Sequence, residues 1–236
     1  MEKYLYLTLN ILTISVPFMR SFEPRVNFYG QWKSLFGAIG IMGAFFIIWD
    51  ILFTHWGVWG FNPTYLSGIN IVNLPMEEWL FFLTVPYACV FIYEVLNYFI
   101  KKDILKPYVH IISASLVLLL GILAVLHNDK IYTFTASILT AMLLSYLTWH
   151  VWADYLGRFY LAFLVSLIPF FMVNGVLTGS GIPDEIVWYN NAENLAIRLG
   201  TIPIEDTIYC LLMLLMTISI YEYFKTRKSA NEELAK

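Results

Sequence analysis

Seven stretches of this chain are apolar over a length that crosses a bilayer or comes close to it. They are residues 4–19, 34–54, 77–100, 109–126, 132–152, 159–178 and 204–224. A spanning helix needs about 20 apolar residues, roughly 17–25, so segments of this kind dominate anything the chain can fold into. Composition agrees, with 59% of the 236 residues apolar, 13% charged and a mean hydropathy of +0.68. An average soluble domain carries about 25% charged residues. A soluble globular domain and a disordered chain are therefore excluded. A nucleic-acid partner is excluded too, because the net charge is −3 and there is no basic cluster. The expectation is an all-α polytopic membrane protein with seven transmembrane helices, its backbone polar groups satisfied within the helices. The first segment is the shortest and holds Asn10, Ser15 and Pro17. It has no charged n-region beyond Lys3 and no small-residue cleavage site, so it reads as a retained span rather than a signal peptide.

Positive charge orients these spans. With seven crossings, one side receives Arg20, Arg25, Lys33, Lys101, Lys102, Lys106, Arg158, Lys225, Arg227, Lys228 and Lys236, which is 11 of the 14 cations. The positive-inside rule makes that side cytoplasmic. The N-terminus is then outside, the C-terminus is cytoplasmic, and a bacterial inner membrane is the expected location. Two long loops, residues 55–76 and 179–203, fall on the outer side. They are rich in aromatics and share a single cation, Arg198. Loops of that length inside a compact unit are usually functional, and reentrant or interfacial packing suits their aromatics.

The two loops and the helices after them repeat. Pro75-Met-Glu77-Glu78 returns as Pro203-Ile-Glu205-Asp206, Tyr93-Glu94 returns as Tyr221-Glu222, and Asn62 returns as Asn190, all at a shift of 128 residues. This predicts a 3+1+3 plan. Residues 1–108 and 132–236 form two three-helix units, and a linking helix within 109–131 leaves both pointing the same way. Parallel repeats of this kind place a site between the halves.

The acids are the second signal. Glu77 and Glu78 open the third span and Glu205 and Asp206 the seventh, while Asp50 and Asn174 lie at a similar depth in the second and sixth. An acid in the first turn of a helix favours the macrodipole, which is a purely structural role. That role needs one acid, whereas each helix carries two, beside a polar partner on the preceding span. Ionisable groups at membrane depth are costly and are functional candidates by default. The two Tyr-Glu pairs near the cytoplasmic ends read instead as interface anchors and surface ion pairs.

Other chemistries find no support. Cys89 and Cys210 sit in apolar runs and read as packed hydrophobes. His55, His110, His127 and His150 are scattered, so no metal site is expected. The seventh span has no lysine for a retinal Schiff base. No dinucleotide or phosphate-loop fingerprint occurs, and Gly37-x-x-Gly40-x-x-Gly43 reads as close helix packing. No cofactor is expected.

The run Trp49-Asp50, Gly57-Val-Trp59-Gly-Phe-Asn62, Tyr65, Gly68, Pro75-Met-Glu-Glu-Trp-Leu-Phe-Phe82 and Pro86-Tyr-Ala-Cys-Val-Phe-Ile-Tyr-Glu94 resembles the lycopene cyclase domain family. This is the integral-membrane, flavin-free type, here with both halves in one chain. The second repeat departs from the pattern with Asn174 for Asp50, Glu205-Asp206 for the Glu doublet and Trp188-Tyr-Asn-Asn191 in its loop. The resemblance implies closure of the linear ends of lycopene, or a related carotene, to rings of the beta type through a carbocation. Such a reaction consumes no cofactor. It needs an acid that keeps its proton, a carboxylate base and aromatic faces around the cation. The expected donor is Glu77 or Glu78, with Glu205 and Asp206 as partner acid or base and Asp50 tuning the pair. Trp59, Phe61, Tyr65, Trp79, Phe82, Trp188 and Tyr189 are the expected aromatic wall. Asn62 and Asn190 are expected to hold the loops, and Asn174 to serve the substrate site. The expected partners are a long apolar carotenoid and membrane lipid, with other carotenoid-pathway enzymes or a second copy left open. Two other readings stand beside this one: a carotenoid end-group hydratase, which shares the protonation step, and a small-solute transporter, which shares the repeat plan.

Overall fold

The computed structural model describes residues 2–234. Lys236, counted above among the cytoplasmic cations, lies outside the described residues. All seven expected segments are helical: α1 (Leu5–Arg20), α2 (Trp32–His55), α3 (Met76–Phe99), α4 (Val109–Leu126), α5 (Ile131–Ser145), α6 (Leu156–Leu177) and α7 (Ile204–Leu234). Among the described residues, six of these, α5 extended by a π turn to His150, are long and apolar enough to cross a membrane. The exception is α1, with 16 residues. The chain is a membrane protein. Helices α3 and α7 begin just after a proline. Pro75 caps α3 from an extended conformation, and proline fits there because the first backbone N–H groups of a helix have no partner to lose.

The packing is crossed. Helix α1 lies against α3 and α5 against α7, while α2 packs on α7 and α6 on α3. The second helix of each half is thus seated on the third helix of the other. Helix α4 packs on α5 and is peripheral, burying only Ser113, Leu120 and Ala124 of its side chains. The glycine run on α2 does not act as a unit. A Cβ at Gly37 would meet the Phe224 ring, whereas Gly40 and Gly43 have open space.

The Tyr-Glu pairs also depart from their expected role. Tyr93 and Tyr221 are fully buried rather than anchored at an interface. The Tyr93 hydroxyl donates to Glu222 at 2.8 Å and the Tyr221 hydroxyl to Glu94 at 2.9 Å. Lys225 pairs with Glu94 at 2.5 Å. These reciprocal bonds clamp α3 to α7, because a buried phenol must find an acceptor.

The two long loops fold as small sheets. Strands β1 (Trp59–Phe61) and β4 (Val187–Tyr189) pair antiparallel, one from each loop, with Gly60 opposite Trp188. Each loop also carries a hairpin leading into its helix: β2 (Asn70–Ile71) with β3 (Leu74–Pro75), and β5 (Arg198–Leu199) with β6 (Ile202–Pro203). The Asn62 N–H bonds the Ile186 carbonyl and the Asn190 N–H bonds the Val58 carbonyl, closing the β1–β4 pair at both ends. The reason is elementary: backbone N–H and C=O groups removed from water must pair, and two loops with matched spacing pair with each other.

Candidate active site

Beneath the β1–β4 pair, between the two halves, is a narrow cavity of about 50 Å³. Asp50, Glu78 and Asp206 all reach it, from α2, α3 and α7. They are 3%, 7% and 5% exposed. Its wall is aromatic, with Trp59, Phe61, Phe81, Phe170, Tyr6, Tyr132, Tyr189 and Tyr209, and among the described residues no Lys, Arg or His lines it.

Each carboxyl is held by phenols. Tyr6 on α1 donates to Glu78 Oε2 at 2.6 Å. Tyr132 on α5 donates to Asp206 Oδ1 at 2.7 Å, and Tyr189 on β4 to Asp206 Oδ2 at 2.9 Å. Tyr209 on α7 donates to Asp50 Oδ1 at 2.8 Å. Asn174 completes the set with its amide on Asp206 Oδ2 at 2.8 Å. The Asp50 and Glu78 carboxyls line the same cavity, both buried. Burial and a neighbouring like charge both favour the protonated form of a carboxyl, so a pair of acids in one such cavity is suited to keeping a proton. Tyr189 lies in the loop outside the spanning helices. Burial, and next the Asp206 carboxylate, hold its phenol well above the ordinary tyrosine range, so it meets Asp206 as a neutral donor.

The doublets divide their labour. Successive helical residues point about 100° apart, and it is the second acid of each pair that faces the cavity. The first acid turns to its own loop. Glu77, fully buried, accepts the Ser67 N–H at 2.7 Å, and Glu205, equally buried, accepts the Leu195 N–H at 2.7 Å and the Thr133 hydroxyl at 2.7 Å. Neither lines the cavity.

Of the expected aromatics, Trp59, Phe61 and Tyr189 are in the wall and the others are not. Phe82 is buried beside Phe46, Trp79 bonds the Ile71 carbonyl of the hairpin at 3.3 Å, and Tyr65 is buried and accepts the Asp184 N–H at 3.4 Å. Trp188 lies over Gly60. The side chains of Asn62 and Asn190 stay within their loops, accepting the Thr64 and Ala192 N–H groups, both at 3.0 Å. Sequence reading missed Tyr6, Tyr132 and Tyr209. A signal existed for two of them, since Tyr6 and Tyr132 stand near the start of the first helix of each half.

The Trp59 ring has its centroid 5.0 Å from that of Tyr132 and 6.2 Å from that of Tyr209, edge to face in both cases. Such a wall presents negative ring faces to a cation. The described residues hold no group of three or more His, Cys, Asp and Glu side chains arranged for a metal.

A family model described as Lycopene cyclase matches residues 3–96 and again residues 129–224. The chain belongs to the lycopene cyclase family. Both matched segments contain a cavity acid and its phenol, Tyr6 with Glu78 in one and Tyr132 with Asp206 in the other. The family assigns this membrane protein to carotenoid biosynthesis. No curated protein and no solved structure gives a match.

Proposed function

We propose that the chain is a cofactor-independent lycopene beta-cyclase, an isomerase that closes the linear ends of lycopene or a related carotene. The observation that carries this reading is the joining of three carboxyls to an aromatic cavity lined by no cation among the described residues. The proton kept by the Asp50 and Glu78 pair is transferred to the terminal double bond of the end group. The resulting carbocation is attacked by the neighbouring double bond, which forms the ring bond and moves the charge into the ring. A ring proton then passes to the Asp206 carboxylate. One proton is gained and one lost, so the product is an isomer of the substrate. Buried aromatic faces stabilise the charge between these steps and keep water from it.

The chain arrangement proposed with this function is two three-helix units, 1–108 and 132–236, joined by a linking helix in 109–131. All seven helices cross the membrane, the N-terminus is outside and the cavity lies at the outer level. The shared 128-residue shift of the β1–β4 and hairpin registers and the bias of cations to one side support it.

Addition of this chain alone to lycopene-accumulating cells, with pigments separated by chromatography, tests the function. Cyclised carotenes of unchanged mass are expected. Hydroxylated carotenes instead would mean that water captures the cation, and unaltered lycopene would overturn the reading.

A further inference from the structure

A second space borders the first. A groove of about 360 Å³ runs between α1, α3 and α6, and it shares Phe81, Phe170 and Asn174 with the acid-lined cavity. Its surface is almost wholly apolar. Leu12 and Met172 at its edges are 64% and 71% exposed, on helix faces that meet lipid, while Ala88 and Cys89 form a buried floor.

The corresponding place in the other half carries a buried tryptophan. Asn174 and Asp50 reach the cavity from α6 and α2. With these two set against each other, Val173 of the groove stands where α2 has Trp49. The Trp49 indole is buried, stacked on Phe46 at 5.7 Å and 5.3 Å from the Tyr209 ring. On the third helices, at the 128-residue shift, Ala88 and Cys89 stand where α7 has Met216 and Thr217. Smaller side chains on α3 and α6 therefore leave open on one side what larger ones close on the other.

We infer that this groove seats the conjugated body of the carotene while one end group occupies the cavity, with Val173 and Ala88 admitting the chain. This rests on the cyclase reading. A carotene is a rigid apolar rod far longer than its end group, and the room in the cavity, about 50 Å³, is well below that of small-molecule sites, about 300–1,000 Å³. The rest of the rod needs an apolar channel that adjoins the cavity and is open to lipid, and the groove, which meets the cavity at Phe81, Phe170 and Asn174, is placed to serve as one. The half with Trp49 is not, so the chain offers one way in and takes one end group at a time.

The test compares two substrates, lycopene and a truncated linear polyene with the same end group and less than half the length, on membranes carrying the full chain. Val173→Trp copies the plug of the other half. It is expected to slow lycopene cyclisation by about ten-fold or more and the truncated substrate by no more than about two-fold, a split between chemistry and binding of remote parts. Leu119→Trp, on the exposed face of α4, leaves both rates unchanged. If a folded Val173→Trp protein cyclises lycopene at the wild-type rate, or loses both substrates equally, the groove inference is overturned and the cyclase reading stands. Should Val173→Trp fail to fold, Ala88→Leu narrows the same floor and is judged by the same ratio. Absence of any ring product from the wild-type chain on either substrate counts against the cyclase reading itself.

Discussion

The phenol of Tyr209 on α7 donates to Oδ1 of Asp50 on α2 at 2.8 Å, so the second half of the chain supplies a donor to an acid of the first. The other phenols of the cavity stay within their own half, Tyr6 on Glu78 and Tyr132 and Tyr189 on Asp206. Asp50 also lines the cavity together with Glu78. Tyr209 therefore fixes which oxygen of Asp50 is free for a proton. Tyr209→Phe should lower turnover by about ten- to a hundred-fold, the worth of a hydrogen bond to a charged group, about 1.5–3 kcal/mol. Single-turnover kinetics with lycopene in membranes would check it. The matching change at the opposite end of α3, Tyr93→Phe, should lower thermal stability and leave turnover alone.

The two acids of the first doublet should separate cleanly. Glu78→Gln removes a member of the acid pair and should cost about 10²-fold or more in rate, the usual range for general acid catalysis. Glu77→Gln keeps an oxygen to accept the Ser67 N–H and should stay within about three-fold, since it leaves the proton-transfer groups in place. Glu77→Ala leaves that N–H without an acceptor and should destabilise the protein by about 1–3 kcal/mol. Pigment analysis and thermal unfolding in detergent read the two effects separately. Equal loss of cyclisation in Glu77→Gln and Glu78→Gln would overturn the division of labour.

Val72 is held at φ 60° in the tight turn between β2 and β3, and it is 73% exposed. At the like turn of the second loop the residue is Gly200, at φ 67°. A β-branched residue in the left-handed region is strained by about 1–3 kcal/mol. Val72→Gly relieves that strain and gives some of it back through the freer unfolded chain. A net gain of about 1 kcal/mol is expected, read as a higher unfolding midpoint with no change in activity.

Gly60 and Trp188 face each other across the β1–β4 pair, and a Cβ at Gly60 would run into the indole. They are also the same position in the two loops, 128 residues apart. Two tryptophans there would collide on the local axis, so one half carries glycine. Gly60→Val should destabilise the cover of the cavity by about 1–3 kcal/mol through overpacking. Trp188→Ala in the same chain should recover much of that loss, giving a coupling energy in a double-mutant cycle. Additive effects would show that the two side chains do not compete for space.

Much of this was legible in the sequence. Apolar length located all seven helices, and Pro75 and Pro203 marked the starts of α3 and α7. The recurring doublets located the level of the acids. Apart from the like placement of Tyr6 and Tyr132 at the start of each half, the inward tyrosines were not legible. Tyrosine occurs 16 times in the chain, and nothing local distinguishes a phenol on a carboxylate from one at a membrane interface. Within a helix that is apolar on every side, no periodicity marks the buried face.

By itself the sequence determined that the chain lies in a membrane, that its loops and acids come in two related copies, and that the acids gather at one level. These follow from local quantities: the length of apolar runs, the cost of charge in lipid and the register of repeated motifs. Only the tertiary structure decided that Glu78 and Asp206 face the cavity while Glu77 and Glu205 hold loops, and that Asp50 is bonded from the other half. Which of two adjacent acids points inward depends on the rotation of a helix about its axis. That rotation is set by close packing against α1, α6 and the two covering loops, which are distant in the chain and meet only when it folds.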